Sequence, residues 1–171
     1  MEFDKEWLNT HFKEFKEISH LLTKGCDGIT KNKGIYTVVR ESKTNPNFNI
    51  FNQHYMKKGI KIDLDYKKGY LIKVWNELSN HHIIYIGKAN GKEGLKKRIN
   101  DYIRFGKKTQ EKIEKNGICH RGGRAIWQLD DYKELKIYWK ESDSPRTEEK
   151  ELIANFKKQN NGNRPFANRS D

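Results

Sequence analysis

Gly34-Ile35-Tyr36-Thr37-Val38-Val39 and Ile83-Ile84-Tyr85-Ile86-Gly87 decide how this chain is read. Each is a short β-branched and aromatic run beginning or ending at glycine, the pattern of a strand buried in a sheet. Outward from them, apolar residues fall at helical spacing. Leu95, Ile99, Tyr102 and Ile103 share one face over Gly94 to Phe105, and Leu152, Ile153 and Phe156 share one over Thr147 to Lys158. The second helix follows Pro145 and carries Glu148, Glu149 and Glu151 near its positive end. Trp7, Leu8, Phe12, Phe15, Ile18, Leu21 and Leu22 predict one further amphipathic helix over Asp4 to Thr23, ended by Gly25 and Gly28.

The remaining strands are read from alternation and composition. Ile60, Ile62 and Leu64 suggest a short half-exposed strand, and Tyr70 to Trp75 another. Ala125 to Leu129 and Leu135 to Trp139 read as two strands joined at Asp130-Asp131. Ser42 to Asn52, rich in Asn with one Pro, reads as a loop. These elements make one α+β domain over residues 1–171, with a small central mixed or antiparallel β-sheet flanked by helices. Residues 1–33 form an N-terminal helical extension, and residues 42–75 lie between the two decisive strands.

Composition narrows the partner. The chain has 35 Lys and Arg against 23 Asp and Glu, a net charge of +12, and its pI is about 9.6. Eight Phe, eight Tyr and four Trp argue for an aromatic core rather than disorder, despite a mean hydropathy of -1.05. The positive excess draws the protein toward polyanions, nucleic acid first. Lys88 to Arg124 holds twelve Lys or Arg and four Asp or Glu, so this segment supplies +8. Cys26 and Cys119 have no CxxC partner and are expected as reduced thiols. No apolar run approaches the roughly 18 residues of a membrane span, and the charged start Met-Glu-Phe-Asp-Lys-Glu-Trp is unlike a secretory signal. A cytoplasmic protein without membrane association is expected.

The order of the motifs is more specific than any one of them. Gly34-Ile35-Tyr36 is followed by Tyr85-Ile86-Gly87, then Lys88-Ala89-Asn90, then Arg98 thirteen residues past Tyr85, then Glu149 three residues before Leu152-Ile153, and last Pro165-Phe166-Ala167-Asn168. This series resembles the GIY-YIG nuclease family. The resemblance runs from Gly34 to Asn168 and implies a metal-dependent endonuclease acting on double-stranded DNA. It assigns catalytic roles to Tyr36, Tyr85, Lys88, Arg98 and Glu149, with Glu149 the metal ligand. One carboxylate, with waters and a substrate phosphate completing the shell, points to Mg²⁺, with Mn²⁺ an alternative. Arg98 would clamp the scissile phosphate through its planar donor fork. Tyr36 would orient or deprotonate the water, Tyr85 would support it, and Lys88 would supply positive charge to the phenol.

Two departures from the family pattern point to its restriction-enzyme branch. Tyr102 stands four residues after Arg98, where many members carry histidine, and Lys88 takes over that duty. Tyr36 and Tyr85 are 49 residues apart, which implies an insertion where simpler members have a tight hairpin. Grafted loops commonly carry specificity. DNA contacts are expected from Lys96, Lys97, Arg121, Arg124 and Asn168, with Trp127 in the core. A site-specific type II restriction-like enzyme is therefore expected, with a homodimer a further possibility because two-fold DNA symmetry is matched by two-fold protein symmetry. The alternatives are a repair, recombination or mobile-element nuclease, a catalytically silent DNA-binding protein, and an RNA-binding module. The intact motif set speaks against the silent protein, and the lack of an RNP-like strand pattern against the RNA module. His81, His82 and His120 lack the acid or cysteine neighbours of a zinc site.

Overall fold

The strand β2 (Gly34–Val39) has all six of its residues buried, which is why it reads as continuously apolar rather than alternating. A computed structural model of the chain describes residues 3–12, 14–52, 54–57, 60–110 and 123–169. Along it run α1 (Lys5–His11), β1 (Glu14–Glu17), α2 (Ile18–Lys24), β2, β3 (His54–Lys57), β4 (Ile60–Asp63), α3 (Lys68–Asn76), β5 (Ile83–Ala89) and α4 (Gly94–Gln110). Two short 3-10 helices, Arg124–Gln128 and Tyr132–Glu134, precede β6 (Lys136–Glu141) and α5 (Pro145–Gln159). The fold is α+β: an antiparallel sheet in the order β1-β6-β2-β5, flanked by the helices, with β3 and β4 a separate hairpin.

Three expectations need correction. Asp4 to Thr23 is not one helix, because β1 interrupts it and pairs with β6, so the N-terminal extension completes the sheet. Two short helices on either side share helical spacing, which hides the strand between them. Tyr70 to Trp75 lies in α3 rather than in a strand. Its β-prone residues are outweighed by Leu71, Val74 and Trp75, buried on one helical face. Ala125 to Leu129 is mostly 3-10 helix, and Trp127 is core as expected.

The core is built on large rings, with Trp127, Tyr36, Tyr102, Phe156 and Phe166 among its fully buried side chains. Helix α5 starts on Pro145 at its first turn with Glu148 beside it, and ends with Lys157 and Lys158, in line with its dipole. Arg40 is buried, and its charge is used internally. Its Nε donates to Asp131 at 2.7 Å, and Nη1 donates to the carbonyls of Ser42 and Thr44.

The segment between β2 and β5 is tied down at its base by one side chain. Gln128 Oε1 accepts from the Tyr66 amide, and Nε2 donates to the carbonyls of Asn49 and Tyr66. Asp65 Oδ2 accepts the amides of Phe51 and Asn52, both at 2.6 Å. Phe48, buried, bridges to Leu129.

The free edge of β5 is covered by the C-terminal segment. Ala167 N donates to Ile84 O at 2.8 Å. The Asn168 carboxamide accepts from Ile86 N at 2.9 Å and donates to Ile86 O at 2.8 Å. Asn168 is thereby buried and engaged on the backbone of β5, so its expected role as a DNA contact does not hold. Asn168→Ala would leave two main-chain groups of a sheet edge without partners. Urea unfolding should show a loss of about 2 kcal/mol.

Candidate active site

Antiparallel pairing of β2 with β5 sets Tyr36 directly across from Gly87. A Cβ on Gly87 would stand 2.7 Å from the Tyr36 Cζ, 2.8 Å from its hydroxyl and 2.7 Å from the Tyr85 Cε1. The two rings occupy that volume, with centroids 5.8 Å apart. Gly34 answers a similar need, since a Cβ there would meet the Lys140 carbonyl at 2.2 Å and Leu95 Cδ1 at 2.6 Å. The glycines of both strand motifs are therefore required by close approach. Tyr85 stacks in turn on Tyr102 at 6.3 Å and 4°, so the residue at the histidine position continues the aromatic row.

Arg98, on α4, reaches this row from above. Tyr36 Oη and Arg98 Nε are both buried atoms with no hydrogen-bond partner among the described residues. Burial pushes the Tyr36 pKa up, and the positive charge that opposes it is that of Arg98. Tyr85 is pushed well up, chiefly by burial and then by Tyr36. Burial works against the Arg98 charge, but Tyr36, Tyr85 and Asp101 more than compensate, so its pKa lies above the usual value. Tyr36 is accordingly a neutral phenol beside a charged guanidinium.

Lys88 and Glu149 belong to the other side of the sheet. Lys88 is paired with Ile35 and so alternates to the face opposite Tyr36. Its ammonium makes an ion pair with Glu149, on the first turns of α5. The expectation that Lys88 polarises Tyr36 is corrected: Arg98 does so, while Lys88 is engaged by the carboxylate. The two halves meet in an open cleft of about 420 Å³ lined by Lys88, the 90–94 loop, Lys97, Arg98, Asp101 and Glu149. A larger cleft of about 580 Å³ lies elsewhere, around Arg40, Lys43, His81 and His82. Arg40 is already committed there to Asp131 and two carbonyls.

Three further expectations can be placed. Lys96 pairs with Asp27 at 2.9 Å and Lys97 with Asp101 at 3.0 Å, both near the surface, and only Lys97 lines the cleft. Arg124 lies over the Tyr66 ring at 4.2 Å, and Arg121 lies outside the described residues, as do Cys119 and His120. Cys26 is buried and unpaired with another cysteine. Sequence reading overlooked Asp101, one turn beyond Arg98 on the same helical face; that i, i+3 spacing was the available signal.

Among the described residues no group of three or more His, Cys, Asp or Glu is placed to hold a metal ion. Glu149, a largely buried carboxylate fronting an open cleft, suits an ion that keeps most of its waters and takes one protein oxygen. No helix among the described residues is long and apolar enough to cross a membrane. Compared with known proteins, the chain matches no family model, no curated protein and no solved structure.

Two outcomes test this packing. Gly87→Ala should displace both rings, lowering stability by about 1–3 kcal/mol in urea. Burial also raises the folded-state pKa of Tyr36, Tyr85 and Tyr102. Their neutral forms stabilise the fold fully below the ordinary tyrosine pKa of about 10, and that contribution is lost as pH rises beyond it. Tyrosinate absorbance from these three should therefore appear only together with alkaline unfolding followed by circular dichroism.

Proposed function

We propose that the protein is a metal-dependent endonuclease of the GIY-YIG type that hydrolyses phosphodiester bonds in double-stranded DNA. The observation that carries this reading is the placing of Arg98 from α4 and Glu149 from α5 on one cleft, with Tyr36 of β2 buried behind Arg98. Two of the three, Tyr36 and Arg98, bring buried polar atoms that lack a hydrogen-bond partner among the described residues. Orphaned donors are costly in a core and are retained where a ligand satisfies them.

In this reading Arg98 donates to the non-bridging oxygens of the scissile phosphate, and its fixed charge offsets the charge that grows there during attack. The neutral Tyr36 hydroxyl orients the attacking water. Arg98 makes loss of the Tyr36 proton less costly than burial alone would allow. Tyr85 and Tyr102 keep that hydroxyl in place by packing. Glu149 would hold Mg²⁺ or Mn²⁺, which when bound polarises the phosphate and acidifies a water. Lys88 holds the Glu149 carboxylate in a fixed orientation through their ion pair before the ion arrives. Within the endonucleases, the insertion between β2 and β5 favours a site-specific, restriction-like enzyme over a repair or mobile-element nuclease.

Purified protein with duplex DNA and Mg²⁺ should cut, and chelator should stop it; continued cutting in EDTA would remove the metal from the scheme. Glu149→Ala should bind DNA without cutting. Arg98→Ala should lose at least about 100-fold in single-turnover cleavage, and near-native rates would refute the clamp. Sequencing the ends of a digested plasmid library should return one short motif; random ends would favour the repair-type nuclease.

A further inference from the structure

Tyr70 is 43% exposed although one face of its ring lies on Tyr66, with centroids 5.6 Å apart and planes 28° from parallel. Arg124 is packed over the same Tyr66 at 4.2 Å, and its Nε is buried with no partner among the described residues. We propose that this Arg124–Tyr66–Tyr70 stack is a DNA contact surface. In it Tyr70 takes up an unstacked base, and Lys67 and Lys68 hold the neighbouring phosphates. The proposal rests on the nuclease reading and adds where that enzyme grips its substrate outside the cleft.

The stack has the features such a contact requires. Aromatic faces stack on any base, and Arg adds a cation over the ring. The platform is rigid from below, because Gln128 binds both the amide and the carbonyl of Tyr66. An open cleft of about 390 Å³ adjoins it, lined by Tyr66, Lys67, Lys68 and the exposed Ile50. Two acids line it as well, of which Asp65 is already engaged by the amides of Phe51 and Asn52.

Charge identifies the occupant as a polyanion. Helix α3 begins with Lys67 at its N-cap and Lys68 behind it, has no acid in its first turn and has no side-chain cap. Two cations beside the positive end of a helix dipole repel it, and a phosphate there relieves both. The stack is also joined to the cleft region. Arg124 follows Gly123, where a Cβ would stand 3.1 Å from the Tyr102 ring and 3.4 Å from that of Tyr85. Arg124 of the stack is thus one residue along the chain from a glycine packed against the aromatic row behind Tyr36.

The test is anisotropy of a labelled DNA duplex with the full chain, in chelator and at low salt. Tyr70→Ala should weaken binding about tenfold, while Tyr70→Trp stays within about twofold of the wild type. Lys67→Gln with Lys68→Gln should reduce the slope of log affinity against log salt by about two. Thermal melting of Tyr70→Ala should be unchanged, since the ring is half outside the fold. Binding by Tyr70→Ala within about twofold of wild type would overturn the proposal. So would an equal loss in Tyr70→Trp, which marks a structural role. A wild-type chain that binds no duplex refutes the nuclease reading itself; one that binds and cuts, with Tyr70→Ala unaffected, refutes only the stack.

Discussion

The site depends on one missing side chain. Because Gly87 has no Cβ, the rings of Tyr36 and Tyr85 can occupy the space across the β2–β5 pairing. That register fixes the alternation that sends Lys88 to the far face and the phenols to the face covered by α4. Slipping the register by one residue would exchange these faces and dismantle both halves of the cleft. The sheet in turn protects the register, with β6 on one side of β2 and β5 on the other, and Asn168 sealing the outer edge of β5.

Charge is divided between the two faces in a way that composition does not reveal. On one, a guanidinium sits beside buried neutral phenols, with Asp101 one turn along its helix. On the other, an ammonium and a carboxylate neutralise each other. The net excess of +12 is a property of the surface; around the buried chemistry, opposite charges are close to balanced. In the proposed function, long-range attraction to a polyanion and local handling of one phosphate would thus fall to different residues.

Where one pattern dominated, the fold was legible. β2, β5, β6, α4 and α5 follow from continuous apolar runs or a single amphipathic stripe. Two competing patterns obscured the rest. Phe12, Phe15 and Ile18 keep helical spacing across a strand that exists only because β6 offers an edge to pair with, which is a tertiary fact. Tyr70 to Trp75 has strand composition and helix spacing, and the spacing prevailed because Leu71, Val74 and Trp75 find a common buried face. At the candidate site, motif order selected Arg98 and Glu149, which line one cleft, and Tyr36, which is buried beside Arg98. It gave Lys88 and Asn168 the wrong partners because partnership is invisible in order: each is held by a residue more than sixty positions away.

Gln128 and Asp65 have a consequence for how this chain can vary. Between them they fasten Asn49, Phe51, Asn52 and Tyr66 almost wholly through main-chain groups. Main-chain anchors are indifferent to side-chain identity. The stretch enclosed by this neck can therefore change in sequence or length at small entropic cost, since loop closure grows only slowly with size. The hairpin behaves as an interchangeable cassette, mounted on a chassis whose packing does not depend on what the cassette contains.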